Sequence, residues 1–212
     1  MGVLLLAMAL LPFFLSAWQW RRAEARTAAL AAYDAAARRA PVPVLSLPAE
    51  HLPQGERVSL AGPVVGAPAW LDNVTLNERH GALLLYPVRL ADHSIILVAP
   101  GWVETGRPIA LPPLPAALTG RWVGVPRHFT LPGAVAGSSG RVDALDAHEL
   151  SRRLGGVVRP GVVALDAAPA PLATWSPRPP YDPSRHAGYA LQWLLMGGCL
   201  MAAGFYRLRR RA

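Results

Sequence analysis

The chain has 212 residues, 52% hydrophobic and 16% charged, and its 21 basic and 13 acidic groups leave a formal net charge of +8. Every basic residue is arginine, and the excess is +3 over residues 21–39, +4 over 186–212 and only +1 over 40–185. A nearly neutral middle excludes a nucleic-acid-binding face, which needs a basic stripe on a folded domain.

Residues 1–20 are apolar apart from Ser16 and Gln19, and about 20 residues of helix cross the roughly 30 Å hydrocarbon core of a bilayer. Trp18 and Trp20 close the segment at headgroup level. There is no basic stretch before the apolar run, and Leu15-Ser16-Ala17 is a poor cleavage site, so an uncleaved helix is expected, kinked at Pro12. Residues 21–40 are rich in Ala and Arg and read as a helical extension stopped by Pro41 and Pro43.

Of the 22 prolines, 21 lie between residues 40 and 185, a density that favours short strands joined by turns. Strands are expected at 57–65, 69–76, 82–90, 94–99, 118–125 and 161–165, with Asp92-His93 forming a hairpin turn between the third and fourth. One minor helix is expected after Asp146. Glu149 completes a capping box, Leu150 and Leu154 form the apolar stripe, Arg152 and Arg153 fill the last turn, and Gly155-Gly156 end it. The fold class is two transmembrane helices, an N- and C-terminal hairpin, flanking a small and mainly antiparallel β domain (residues 41–185) with a minor helix.

Residues 186–206 form the second apolar segment, with Tyr189 and Trp193 at one end and Tyr206 at the other. The basic tail, 207–212, carries Arg207, Arg209, Arg210 and Arg211 and places the C-terminus inside by the positive-inside rule. The topology expected is N-in and C-in with the middle domain outside.

Enzyme chemistry finds little footing. The single cysteine, Cys199, lies in the second apolar segment, so there is no CxxC and no internal disulfide. Met196 and Met201 beside it read as membrane packing rather than copper ligands. Gly137-Ser138-Ser139-Gly140 is a loop rather than a G-x-S-x-G elbow. Helix capping accounts for the aspartates of Asp143, Asp146 and His148, while His51, His80, His93 and His128 have no metal-ligand spacing.

One constellation stands apart. On a helix His186, Tyr189, Ala190 and Trp193 share a face, and Gln192, costly in hydrocarbon, is expected to turn towards the first helix. Trp18 and Gln19 end the first helix at the same membrane surface, so two Trp-Gln pairs surround one histidine, with Gly197, Gly198, Ala202 and Gly204 allowing close helix approach below. The plain reading is an aromatic belt with a polar lock. The sharper one is a haem site, with His186 as axial ligand and Arg22 or Arg185 near the propionates. No CxxCH is present, so any haem would be held non-covalently.

These residues resemble the Surfeit-locus/Shy family of cytochrome oxidase assembly factors over almost the whole chain. Trp18-Gln19 with Arg22 and Arg26 matches the family's first helix. Leu71-Asp72-Asn73, Gly81, Tyr86-Pro87-Val88, Ile96-Leu97-Val98, Gly101-Trp102-Val103 and Leu118-Thr119-Gly120 match its central run. His186, Tyr189, Ala190, Gln192 and Trp193 complete its second-helix signature. The resemblance implies a non-enzymatic, bacterial inner-membrane factor with a periplasmic middle domain. It would help build a haem-copper oxidase by holding haem a transiently at His186. The oxidase catalytic subunit, haem a synthase and the bilayer are the implied partners. The alternative is a scaffold or adaptor without haem, in which Trp70, Trp102 and Asn73 dock the β domain, and Asp72-Asn73 also suit an ordinary turn. The chain departs from the family at Ala99-Pro100, which replace Asn-Arg, and at Ala82, Arg141-Val142-Asp143 and Leu194.

Overall fold

The computed structural model describes residues 2–48, 54–107, 110–124, 140–142, 145–176, 178–179 and 182–210. His51, His128, Gly137, Ser138, Ser139, Asp143, Val125 at the end of the fifth strand expectation, and the last two tail residues lie outside these. The chain divides into two units, residues 1–32 with 179–212, and residues 33–178.

The first unit is helical. Helix α1 (Gly2–Ala36) is a single helix that runs through Pro12, and at about 1.5 Å per residue it is longer than a bilayer core is thick. Helix α3 (Pro183–Arg209) begins where the Asp182 side chain accepts the Ser184 amide at 3.1 Å and Pro183 takes the first helical position. Both are long enough to cross a membrane, and each contains an 18-residue window apolar enough to do so. Only 11% and 17% of their most apolar windows are buried, which is too little for core helices of a soluble fold.

The second unit is a mixed, mainly antiparallel sheet. Its strands are β1 (Val42–Pro43), β2 (Arg57–Ala61), β3 (Ala69–Leu76), β4 (Arg79–Arg89), β5 (Ile95–Glu104), β6 (Ala117–Val123), β7 (Arg141–Val142) and β8 (Val158–Leu165). The order across the sheet is β1-β2-β6-β8-β5-β4-β3-β7. Four pairings are antiparallel, and β1–β2, β5–β8 and β3–β7 are parallel. Strand β5 lies near the middle and is buried on both faces. Ile95, Leu97 and Ala99 join one core cluster and Ile96 and Val98 the other, which explains an unbroken apolar run rather than an alternating one.

Helix α2 (Ala147–Leu154) packs Leu150 and Leu154 on the first cluster. Asp146 caps it by accepting the amides of His148 and Glu149 at 2.8 and 3.0 Å, and Gly155 closes it at a φ of 63°. The β4–β5 hairpin turns at Asp92-His93, where His93 takes a φ of 64° and Leu90 donates its amide to the Ser94 carbonyl.

Two strand expectations and one turn reading are corrected. The strand expected over 57–65 stops at Ala61. Gly62 passes so close to the Arg89 carbonyl that no side chain fits there, and beyond it only Val64 bridges to Val88. The strand expected over 94–99 runs on through Pro100-Gly101-Trp102 to Glu104, with a register shift opposite Leu84–Tyr86 on β4 that accommodates the proline. Asp72-Asn73 form no turn between strands. They sit inside β3, where Asn73 at a φ of 61° makes the irregularity between Leu71 and Val74.

Candidate functional site

The helical unit builds its site from a contact stripe. On α1 the buried positions Ala9, Pro12 and Ala23 are spaced by three, eleven and fourteen residues, and on α3 Ala190, Gly197 and Gly204 repeat every seven. This is the spacing of two helices in lengthwise contact, with small residues letting the backbones approach. The Ser16 hydroxyl donates to the Ala190 carbonyl at 2.8 Å. A Cβ built on Gly197 would lie 3.1 Å from the Phe13 ring. One turn towards the other end, Nδ1 of His186 lies 2.8 Å from Oε1 of Gln19. Positions 13, 16 and 19 thus meet 197, 190 and 186, an antiparallel register.

At about 100° per residue, Gln19 and Arg22 project to one flank of the α1 stripe, with Trp18 farther round towards the back of the helix, and His186, Tyr189 and Trp193 project to one flank of the α3 stripe. Trp18 and Tyr189 are exposed, while Gln19, His186 and Trp193 are half-buried. The Arg22 guanidinium lies 5.5 Å from the centroid of the Trp18 ring. Arg185 is exposed and paired with Asp182 at 3.1 Å, one turn into the helix start. The opposite flank holds an open, largely apolar groove of about 490 Å³ between α1 and the start of α3. Trp20, Ala23, Thr27 and Ala187 contribute to its walls, and neither His186 nor Gln19 does.

Gln192 departs from expectation. It is exposed and does not turn towards α1, because it projects about 120° away from His186 on α3. The first helix supplies the imidazole's partner instead, through Gln19. Ser16 was missed as a cross-helix lock. The signal was available, since a lone hydroxyl in an apolar run needs an acceptor.

The motif residues of the β unit have other duties. The Asp72 carboxylate takes both Nε and Nη2 of Arg141, fastening β7 to β3. Trp102 is 5% exposed, and its indole N–H donates to the Val74 carbonyl at 2.8 Å. Its backbone exchanges two hydrogen bonds with Ala173, both at 2.8 Å. Gly101 leaves no room for a side chain, with Leu172, Ala173 and Ala168 within 3.0 Å of a would-be Cβ. Among the described residues no group of three His, Cys, Asp or Glu side chains is placed to hold a metal ion.

Two apolar helices bonded through a serine, an amide and an imidazole, attached in sequence to a mixed β domain, define a small membrane-anchored protein. The chain belongs to the SURF1 family, which matches it over residues 6–198. This is a family of factors associated with cytochrome oxidase assembly rather than of known enzymes, and with the two helices it marks an inner-membrane protein. No individual curated protein matches the chain.

Proposed function

We propose that the protein holds haem a transiently at His186 and presents it to the catalytic subunit of a haem-copper terminal oxidase, with the β unit on the periplasmic side. The observation that carries this reading is the half-buried imidazole whose Nδ1 faces Gln19 at 2.8 Å, on a helix face that carries Tyr189 and Trp193 as well. The donor set fits the group. An imidazole suits an axial position on haem iron, aromatic rings suit the macrocycle, and Arg22 and Arg185, one turn from Gln19 and next to His186 in sequence, are cations available for propionates. Haem, when bound, supplies the redox-active iron that the oxidase needs and that no side chain of this chain replaces. The chain's own residues bind and orient. Gln19 and Ser16 tie α1 to α3 at neighbouring turns, and the exposed rings leave the flank open, which suits release to a partner. The four arginines of the tail support a C-in topology.

The test is the absorbance spectrum of the full chain purified from cells able to make haem a. A low-spin haem signal in the wild type, lost in His186→Ala with membrane insertion intact, is the expected result. Absence of the signal, or a signal unchanged in the variant, overturns the haem reading. Oxidase assembly that is normal with His186→Ala but fails with the whole protein deleted would favour a scaffold.

A further inference from the structure

We infer that Gln19 is a positioning residue that fixes the tautomer of His186, keeping hydrogen on Nδ1 and the lone pair on Nε2; the use of that lone pair as an iron ligand rests on the haem reading above. A neutral imidazole carries one N–H and one lone pair, and the group facing either nitrogen decides which is which. The group facing Nδ1 at 2.8 Å is the amide oxygen of Gln19, an acceptor with no proton to give. Nδ1 must therefore donate, and Nε2 is left as the nitrogen able to accept a hydrogen bond or bind a metal. An unconstrained histidine favours the opposite arrangement, so the contact works against the side chain's own preference.

The neighbouring contacts keep the amide in place. Ser16 lies three residues before Gln19 on α1 and bonds Ala190, four residues after His186 on α3. Two cross-helix hydrogen bonds at successive turns set the register, so the imidazole and amide do not slide past each other. Two of the neighbouring cations are otherwise engaged, Arg22 over the Trp18 ring and Arg185 with Asp182. The partner is an amide where metal-binding histidines commonly use a carboxylate or a backbone carbonyl. A carboxylate would make the imidazole a stronger donor to a metal. A neutral amide orients it without that gain, which suits a ligand that must let go.

The decisive measurement is ¹⁵N NMR of the full, haem-free chain in lipid nanodiscs, with labelled histidine, at alkaline pH, and with the His186 signal assigned by its loss in His186→Ala. The expected wild-type signal is the Nδ1–H form. In Gln19→Leu the ratio of Nδ1–H to Nε2–H falls by roughly fivefold, as loss of one neutral hydrogen bond implies. In Gln19→Glu, which keeps an acceptor and controls for folding, the Nδ1–H form persists. A wild-type Nε2–H signal, or a ratio unchanged in Gln19→Leu, overturns the assignment. Because no haem is present, a failure here is separate from a failure of the haem reading. In loaded protein, Gln19→Glu is expected to lower the haem reduction potential and slow release, whereas an unchanged potential counts against Gln19 acting through His186.

Discussion

Asp92→Asn is expected to destabilise the β unit near neutral pH and to have no effect near pH 2. Asp92 lies in the β4–β5 turn and accepts from the Ser94 hydroxyl at 2.6 Å, the Ser94 amide at 3.0 Å and Nη2 of Arg159 at 2.8 Å. The Ser94 hydroxyl is the largest cause of a pKa lowered from 3.8 to about 2; desolvation opposes it, and the Arg159 hydrogen bond and charge with the Ser94 amide add to the lowering. At about 1.4 kcal/mol for each tenfold change in proton affinity, the full effect is about 2.5 kcal/mol. The Asp92 side chain is 43% exposed, so screening by water reduces this to about 1 kcal/mol. A carboxyl whose folded pKa is depressed adds stability above its unfolded value, and loses it as pH falls from 3.8 through about 2. Asparagine still offers an oxygen to Arg159, which is 4% exposed and also donates to Ser94 and Val44, so the substitution removes the charge and keeps an acceptor. The assay is thermal unfolding of the full chain in detergent, followed by tryptophan fluorescence from pH 7 to pH 2. A gap of about 2–4 °C between wild type and variant is expected at pH 7 and should close towards pH 2. A gap of constant size across the range, or none at pH 7, would refute the reasoning.

Gly101→Ala should cost about 1–3 kcal/mol, because its methyl would press on Leu172 and the Ala173 carbonyl and push that segment off β5; unchanged unfolding would show that the segment yields freely. Gly161→Ala should be at least as damaging, since Gly161 sits at a φ of 97° with the Trp122 indole against it, and a thermal midpoint equal to wild type would contradict the close packing. Phe13→Cys with Gly197→Cys, in a Cys199→Ser background, should cross-link with a short thiol-reactive linker. Moving the second cysteine to exposed Leu194 should abolish the product if the antiparallel register is right.

The sequence made the long elements legible because their signals are local. Two apolar runs, a capped helix at Asp146 and the Asp92-His93 turn each rest on a few adjacent residues, and each is present. Strands β1 and β7 were invisible, since two residues carry no periodicity and their pairing is decided by distant partners on β2 and β3. The continuation of β5 through Pro100 was hidden for the opposite reason, a residue that usually ends strands tolerated at a register shift. At the site, helical spacing placed His186, Tyr189 and Trp193 on one face but could not say which glutamine would meet the histidine. That choice depends on the rotation of α3 about its axis, which Ala190 and Gly197 set by packing on α1.

The residues that carry the family resemblance divide by what packing already explains. Trp102 is buried with its N–H satisfied, Gly101 and Gly81 leave no room for a Cβ against neighbouring backbone, and Asp72 is closed on Arg141. Each of these would be required by the β fold alone, with no partner in contact, and their identity says little about docking. Trp18, Arg22 and Tyr189 are different. They stand exposed near a histidine held by an amide, on a helix pair whose contact stripe is otherwise made of alanines, glycines, one serine, Pro12 and Phe13. Association of the two helices needs only the small residues and the Ser16 bond. An imidazole oriented through one nitrogen is surplus to that need, because it places polar groups beside hydrocarbon where apolar side chains would avoid the cost. On the haem reading proposed above, that surplus makes the helix pair, rather than the Gly-Trp motif of the sheet, the first place to test for a ligand.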